Sequence, residues 1–376
     1  MIKTFFVLLL SSVTFAQIPS LRQGAFFTPE QGKTELQSIA GQYQNQYEWK
    51  SRAEIIKKGI ITGAGLTSIK AGKKIIATTH SKKTLDGYTV ENVFFESLPG
   101  IFVTGNLYRP LNLQRKNPAV LAPHGHGNDP RFGEATQLRC ATMARMGTIV
   151  FAWDMIGYGD MKQCDHKISQ AFKLQTINSI RVLDFISQLP EVDKNKIAIS
   201  GESGGGTQTF MLTAIDERIK LSIPVVMVSS HFFGGCVCES GMPVHVSPDH
   251  ATNNVEIAAC AAPRPVLLIS DGDDWTQFTP AVEFPHIRRI YSFFGKENNI
   301  ENEHLANEKH DYGPSKRRAS YDFLAKHFGL NIELIDESKV NILDKKQLSV
   351  YNSDFPLPEN AIIDNDKILE ALNNIQ

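Results

Sequence analysis

The residues Gly201-Glu202-Ser203-Gly204-Gly205 stand directly after an apolar run, Lys196 to Ser200, and before a stretch with helical patterning. A G-x-S-x-G pentapeptide between a strand and a helix forces its serine into a strained turn with the hydroxyl raised above the sheet. The glycines two residues to either side let strand and helix approach without a Cβ clash. Serine is a weak nucleophile at its own pKa, so a base must take its proton and an acid must orient that base. On a strand–turn–helix scaffold of this kind the chain order is serine, then acid, then histidine.

That order is present. Asp271-Gly272-Asp273-Asp274-Trp275 follows the apolar run Val266 to Ser270, and Glu308-Lys309-His310-Asp311-Tyr312-Gly313 follows the last strand-like run. His310 is the expected base, because its rival His304 lies within that run rather than in the loop beyond it. Asp274 is preferred as the acid over Asp273, which has a position suited to capping the turn; Asp271 sits too near the strand to reach across. Acyl transfer also needs donors for a developing oxyanion. The amide of Gly204 is one. The loop His124-Gly125-His126-Gly127 supplies the other, from His126 or alternatively Gly127. Trp153 and Trp275 both end strand-like runs and are candidate walls of a substrate pocket, as either is a candidate core filler. No cofactor motif is present. A metal is not expected, because neither His124/His126 nor Cys236-Val-Cys238 comes with a second ligand pair at metal spacing.

These loops need a scaffold that presents them on one side. Tyr88 to Glu96 and Phe102 to Tyr108, joined by Ser97-Leu98-Pro99-Gly100, read as an antiparallel hairpin. From Ala119 onward strands and helices alternate, with strands near 119–122, 148–153, 196–200, 221–228, 266–270 and 301–305. Helices are expected over about 134–146, 169–189, from Gly205, 281–294 and 315–328. Alternation of this kind predicts an α/β fold with a doubly wound, mostly parallel sheet and active-site loops at the carboxyl ends of its strands. Residues 17–74 read as an N-terminal helical cap, 75–330 as the catalytic domain and 331–376 as a C-terminal extension.

Composition limits the partners. The 376 residues carry 39 Lys+Arg against 40 Asp+Glu, a formal charge of −1 that leaves no excess cation for a nucleic-acid groove or a polybasic membrane patch. Residues 1–16 have a basic start at Lys3, an apolar run from Phe5 to Leu10 and small residues near Ala16, the layout of a signal peptide. The run falls short of the roughly 20 apolar residues of a membrane span, and no lipobox cysteine follows, so an exported periplasmic or secreted protein is expected. Of the five cysteines (140, 164, 236, 238 and 260) at least one must stay unpaired within the chain, and buried structural thiols with one or two disulfides at most are expected.

Residues 75–330 resemble the α/β-hydrolase superfamily in its acetyl xylan esterase-like and dienelactone hydrolase-like branch. The likeness rests on Gly105-Asn106-Leu107-Tyr108-Arg109-Pro110, His124-Gly125-His126-Gly127, Asp154-Met155-Ile156-Gly157-Tyr158-Gly159, the serine pentapeptide and the two later loops. Dienelactone hydrolases use a cysteine where this chain has Ser203. The resemblance implies cofactor-free cleavage of small-molecule, oligosaccharide or polysaccharide esters through an acyl-enzyme, with removal of acetyl groups the leading expectation. A glucuronoyl methylesterase type of activity is the alternative, for which Arg131 or Arg264 offers a cation to a uronate. A prolyl-oligopeptidase-like peptidase stands further off, since too few residues precede the sheet to form a gating propeller. A catalytically dead hydrolase fold used for binding is the remaining class.

Overall fold

The structure, a computed structural model, describes residues 21–248 and 250–375; the expected export signal lies outside them. Two helices come first, α1 (Pro29–Ala40) and α2 (Gln46–Gly63), each opened by a polar cap, Thr28 and Asn45, that accepts backbone N–H groups of the first turn. A meander follows: β1 (Ala77–Thr84), β2 (Tyr88–Leu98) and β3 (Ile101–Pro110). Gly100 turns the β2–β3 hairpin at φ 73°, a left-handed backbone that favours glycine.

The alternating part runs β4 (Asn117–Leu121), α3 (Glu134–Arg145), β5 (Ile149–Trp153), α4 (Ala171–Gln188), β6 (Val192–Glu202), α5 (Gly204–Ile215) and β7 (Leu221–Val225). A long excursion carries α6 (Val237–Ser240), the small ribbon β8 (Val246–Ser247) and β9 (His250–Ala251), and α7 (Asn254–Ala259). The chain then returns through β10 (Val266–Asp271), α8 (Glu283–Ser292), β11 (Ile300–Leu305) and α9 (Pro314–Phe328), and ends with α10 (Lys345–Leu348) and α11 (Asn365–Asn373).

Nine strands make one sheet in the order β1-β2-β3-β5-β4-β6-β7-β10-β11, antiparallel through β3–β5 and parallel from there on. The α/β expectation holds. Period-2 alternation divides the core: Val120, Val150, Ala198, Ile223 and Ile269 pack towards α3 and α9, whereas Leu121, Phe151 and Ile199 pack towards α4 and α5. Helices α2, α7 and α8 contribute to the core outside α5.

β6 runs past the expected 196–200 at both ends, and the strand expected over 221–228 is shorter. β7 stops at Val225 rather than Val228, because Val226 takes φ 46°, which no β-branched residue adopts without strain. The segment after it holds three short elements, α6, the ribbon and α7, that have no strong periodicity in sequence. Residues 331–375 run back over the catalytic region: Leu348, Val350, Ile368 and Leu372 are buried, and the backbone oxygens of Leu343, Leu348 and Leu372 accept from Gln137, Arg131 and Lys173.

Candidate active site

The carboxyl ends of β4, β6, β10 and β11 carry the residues singled out by sequence. Ser203 joins β6 to α5 at φ 53°, ψ −121°, a conformation that non-glycine residues hold only where the surroundings enforce it. The enforcement is steric. A Cβ on Gly201 would lie 2.6 Å from Pro123 O, and one on Gly205 would lie 2.8 Å from the His124 backbone. The turn is thus wedged against the β4 loop with no room for a side chain on either flank.

The acid and the histidine meet. His310 Nδ1 donates to Asp274 Oδ2 at 2.6 Å, and the opposite oxygen, Oδ1, accepts from the N–H and hydroxyl of Thr276 at 2.5 and 2.6 Å. Asp274 is therefore buried, fully held and aimed, while the His310 side chain stays 32% exposed. Asp273 is exposed, and its N–H donates to Asp271. Burial and the neighbouring Asp274 charge push the carboxyl of Asp271 up, and the Lys316 ammonium lies 3.2 Å from it. Lys316, buried at the start of α9, also donates to Lys309 O at 2.6 Å and Asp311 Oδ1 at 3.0 Å. It staples the loop of His310 to that of Asp274, a role with no sequence signal beyond its proximity to Pro314. His304 stays in β11, bonded to Ser270.

The Gly204 N–H opens α5 and has no acceptor within the helix. In the β4 loop, Gly125 N–H donates to Glu202 Oε1 at 3.0 Å and is spent. Among the described residues the amides of His126 and Gly127 have no acceptor. His124 is a peg: Nδ1–H donates to Gly125 O, Nε2 accepts from Met155 N–H, and burial pushes its pKa down to about 4, which keeps it neutral. Arg139, buried beneath the turn, donates to Ser200 O and Pro123 O and so ties the two loops from below.

Several expectations are corrected. Trp153 is 1% exposed and lies in the core with Phe151 on the α4 side, so it forms no pocket wall. Trp275 is in place for such a wall, stacked on Phe232 at 3.8 Å with its ring 4.7 Å from His310. Arg131 cannot greet a uronate. It is buried and clamped by Asp154 at 2.7 Å and Asp160 at 2.6 Å. Arg264 is likewise spent on the carbonyls of Ala261, Thr213 and Ile219. All five cysteines are free thiols, and four of them are buried. Cys236 and Cys238 are brought against His126 and His166, the four donor atoms lying within 4.8 Å of one another. Sequence showed His126 and the Cys236/Cys238 pair separately but not that they meet, because His166 and the packing of three distant segments complete the group. The Tyr158 ring packs 4.8 Å from that of His166.

No family model matches the chain. Among solved structures it is similar to Methylesterase BT1017, at 37% identity and a TM-score of 0.87, covering 94% of this chain and 81% of that one. It also shares the fold of a CE15 glucuronoyl esterase from Teredinibacter turnerae, at 11% identity and a TM-score of 0.58, covering 80% and 100% of the two chains. Among curated sequences, the uncharacterized protein PA2218 of Pseudomonas aeruginosa is 28% identical over 138 residues, 36% of each chain. That match spans about a third of the relative's length.

Proposed function

This chain belongs to the α/β-hydrolase esterase family of the methylesterase, and from that membership we propose that it is an exported serine esterase acting on carbohydrate esters. Hydrolysis of a carboxylic ester is the common ground of the family. Within it, the observations that carry the serine reading are the Asp274–His310 hydrogen bond and a Ser203 held at positive φ in the turn from β6 to α5.

In this reading His310 Nε2 takes the Ser203 proton as Oγ bonds to the ester carbon. The oxyanion accepts from the Gly204 and His126 amides, and the His310 imidazolium is stabilised by Asp274. Collapse breaks the bond to the leaving oxygen, which departs as the alcohol with the proton from His310. Water then repeats the sequence on the acyl-enzyme, releasing the acid and restoring Ser203. Export is supported by the sequence alone; no helix of the described residues is long and apolar enough to cross a membrane.

Two esters compete. Deacetylation makes acetate the acid and the sugar the alcohol; demethylation of a uronate makes the sugar the acid and methanol the alcohol. The name of the 37%-identical relative favours the methyl ester. Methyl-esterified and acetylated oligosaccharides, assayed in parallel for methanol and acetate with wild type and Ser203→Ala, decide it. Methanol release that falls by at least about 10⁴-fold in the variant supports the methylesterase reading. Acetate release lost in the same way selects deacetylation instead, and equal turnover by both proteins sinks the nucleophile.

A further inference from the structure

Three loops on the active-site side converge on one point. The β4 loop brings His126, the loop after β5 brings His166, and the start of α6 brings Cys236, its N-cap, and Cys238, in its first turn. His126 Nε2 lies 3.0 Å from His166 Nε2 and 3.3 Å from Cys238 Sγ, and Cys236 Sγ lies 3.2 Å from His166 Nε2. We propose that these four side chains bind a single zinc ion in a closed tetrahedral site that locks the three loops beside the serine turn.

The three shortest separations are within a few tenths of an ångström of those a zinc site sets. Zinc bonds of about 2.3 Å to sulfur and 2.0–2.1 Å to nitrogen, at tetrahedral angles, put the donors roughly 3.3–3.8 Å apart. The ligands are also oriented as metal ligands are. His166 Nδ1–H donates to Ile156 O at 2.7 Å, which leaves Nε2 with its lone pair facing the centre of the group. Glu239 N–H donates to Cys236 O at 2.9 Å, closing the turn that carries both cysteines. The Glu239 carboxylate in turn accepts the Cys236 N–H at 2.9 Å, which fixes the turn that brings both sulfurs to the same side.

Two thiolates and two imidazoles select a soft or borderline ion over magnesium or calcium. Four protein donors leave no open position, so the ion holds structure and activates no water. On binding, the two cysteine thiols release their protons to solvent. The consequence for the site is positional. A Cβ on Gly204 would lie 2.9 Å from His126 Cε1, so the His126 ring packs on the first residue of α5. Fixing that ring fixes the backbone amide of the same residue, the second oxyanion donor in the proposed mechanism.

The test uses the full chain without an affinity tag, prepared under reducing conditions. Elemental analysis is expected to give one zinc per chain. Exchange into cobalt(II) is expected to give the intense visible bands of a tetrahedral site with sulfur-to-cobalt charge transfer. Ser203→Ala should retain metal and spectrum, which separates this proposal from the hydrolytic one. Cys236→Ser/Cys238→Ser should lose both, whereas Cys164→Ser should keep them. Ester turnover of the wild type should fall on chelation through kcat more than KM and return with zinc. Background metal in wild type after zinc is supplied would overturn the proposal without recourse to any variant. So would a cobalt spectrum lacking sulfur charge transfer, or equal metal in the double variant.

Discussion

At the scale of single residues, Asp273 and Asp274 make the sharpest contrast, because sequence offers two adjacent carboxylates and chemistry needs one. Asp274 is buried, with one oxygen on His310 and the other saturated by Thr276, so its charge is available in a single direction. Asp273 is solvated and contributes only its backbone to the turn. Asp274→Asn preserves volume but puts an amide where the imidazole needs an acceptor, which upsets the histidine tautomer. Ester kcat is expected to drop on the order of 10⁴-fold, with little change in KM. Asp273→Asn, in the same assay, should leave turnover near wild type. Comparable losses in both variants, or an active Asp274→Asn, would reassign the acid.

At the scale of elements, α2 is fastened to α7 by a buried ion pair. Arg52 Nε and Nη2 donate to the two oxygens of Glu256 at 2.9 and 2.5 Å, and the Glu256 side chain is fully buried. Removing the cation strands a buried charge, a change that costs about 3–5 kcal/mol, far beyond the price of an exposed pair. Arg52→Ala should therefore unfold at markedly lower urea, and adding Glu256→Gln should recover part of the loss. A shift under about 1 kcal/mol would mean that water reaches Glu256. Sequence did not announce this pair, since Arg52 and Glu256 are 204 residues apart and neither sits in a motif. What was legible is what is local: the strand–turn–helix around Ser203, the strand ends carrying Asp274 and His310, and the hairpin turned at Gly100. Trp153 was misjudged because a strand-end position leaves open which face of the sheet a side chain enters. The group of His126, His166, Cys236 and Cys238 was invisible for a related reason. Its ligands are separated by 40 residues, by 70 and by two, and only the packing of three distant segments brings them together.

At the scale of the whole molecule, charge is nearly balanced, so acid sensitivity is set by individual buried groups rather than by overall repulsion. His124, His245 and His286 are each pushed down to about 4, in every case first by burial. The unfolded chain binds protons on these imidazoles near pH 6.5, so between about 6.5 and 4 it holds more protons than the native state. Stability from each histidine is therefore complete above about pH 6.5 and declines as pH falls towards 4, by about 3 kcal/mol per group. Glu239, Glu283 and Asp160, whose carboxyls burial raises, act with the opposite sign, since the native state protonates them first. A bare pH profile mixes the two sets, and a single substitution separates them. His286, bonded to Tyr43 at 2.8 Å between α8 and the segment joining α1 to α2, is distant in sequence from every proposed catalytic or zinc-binding residue. His286→Gln keeps a polar partner for the tyrosine and removes the titration. Measured by urea unfolding, the stability gap between wild type and variant should shift by about 3 kcal/mol in the variant's favour from pH 7 to pH 4. A gap that stays constant across that range would mean the imidazole is already protonated in the native state, with water admitted between α8 and the N-terminal helices.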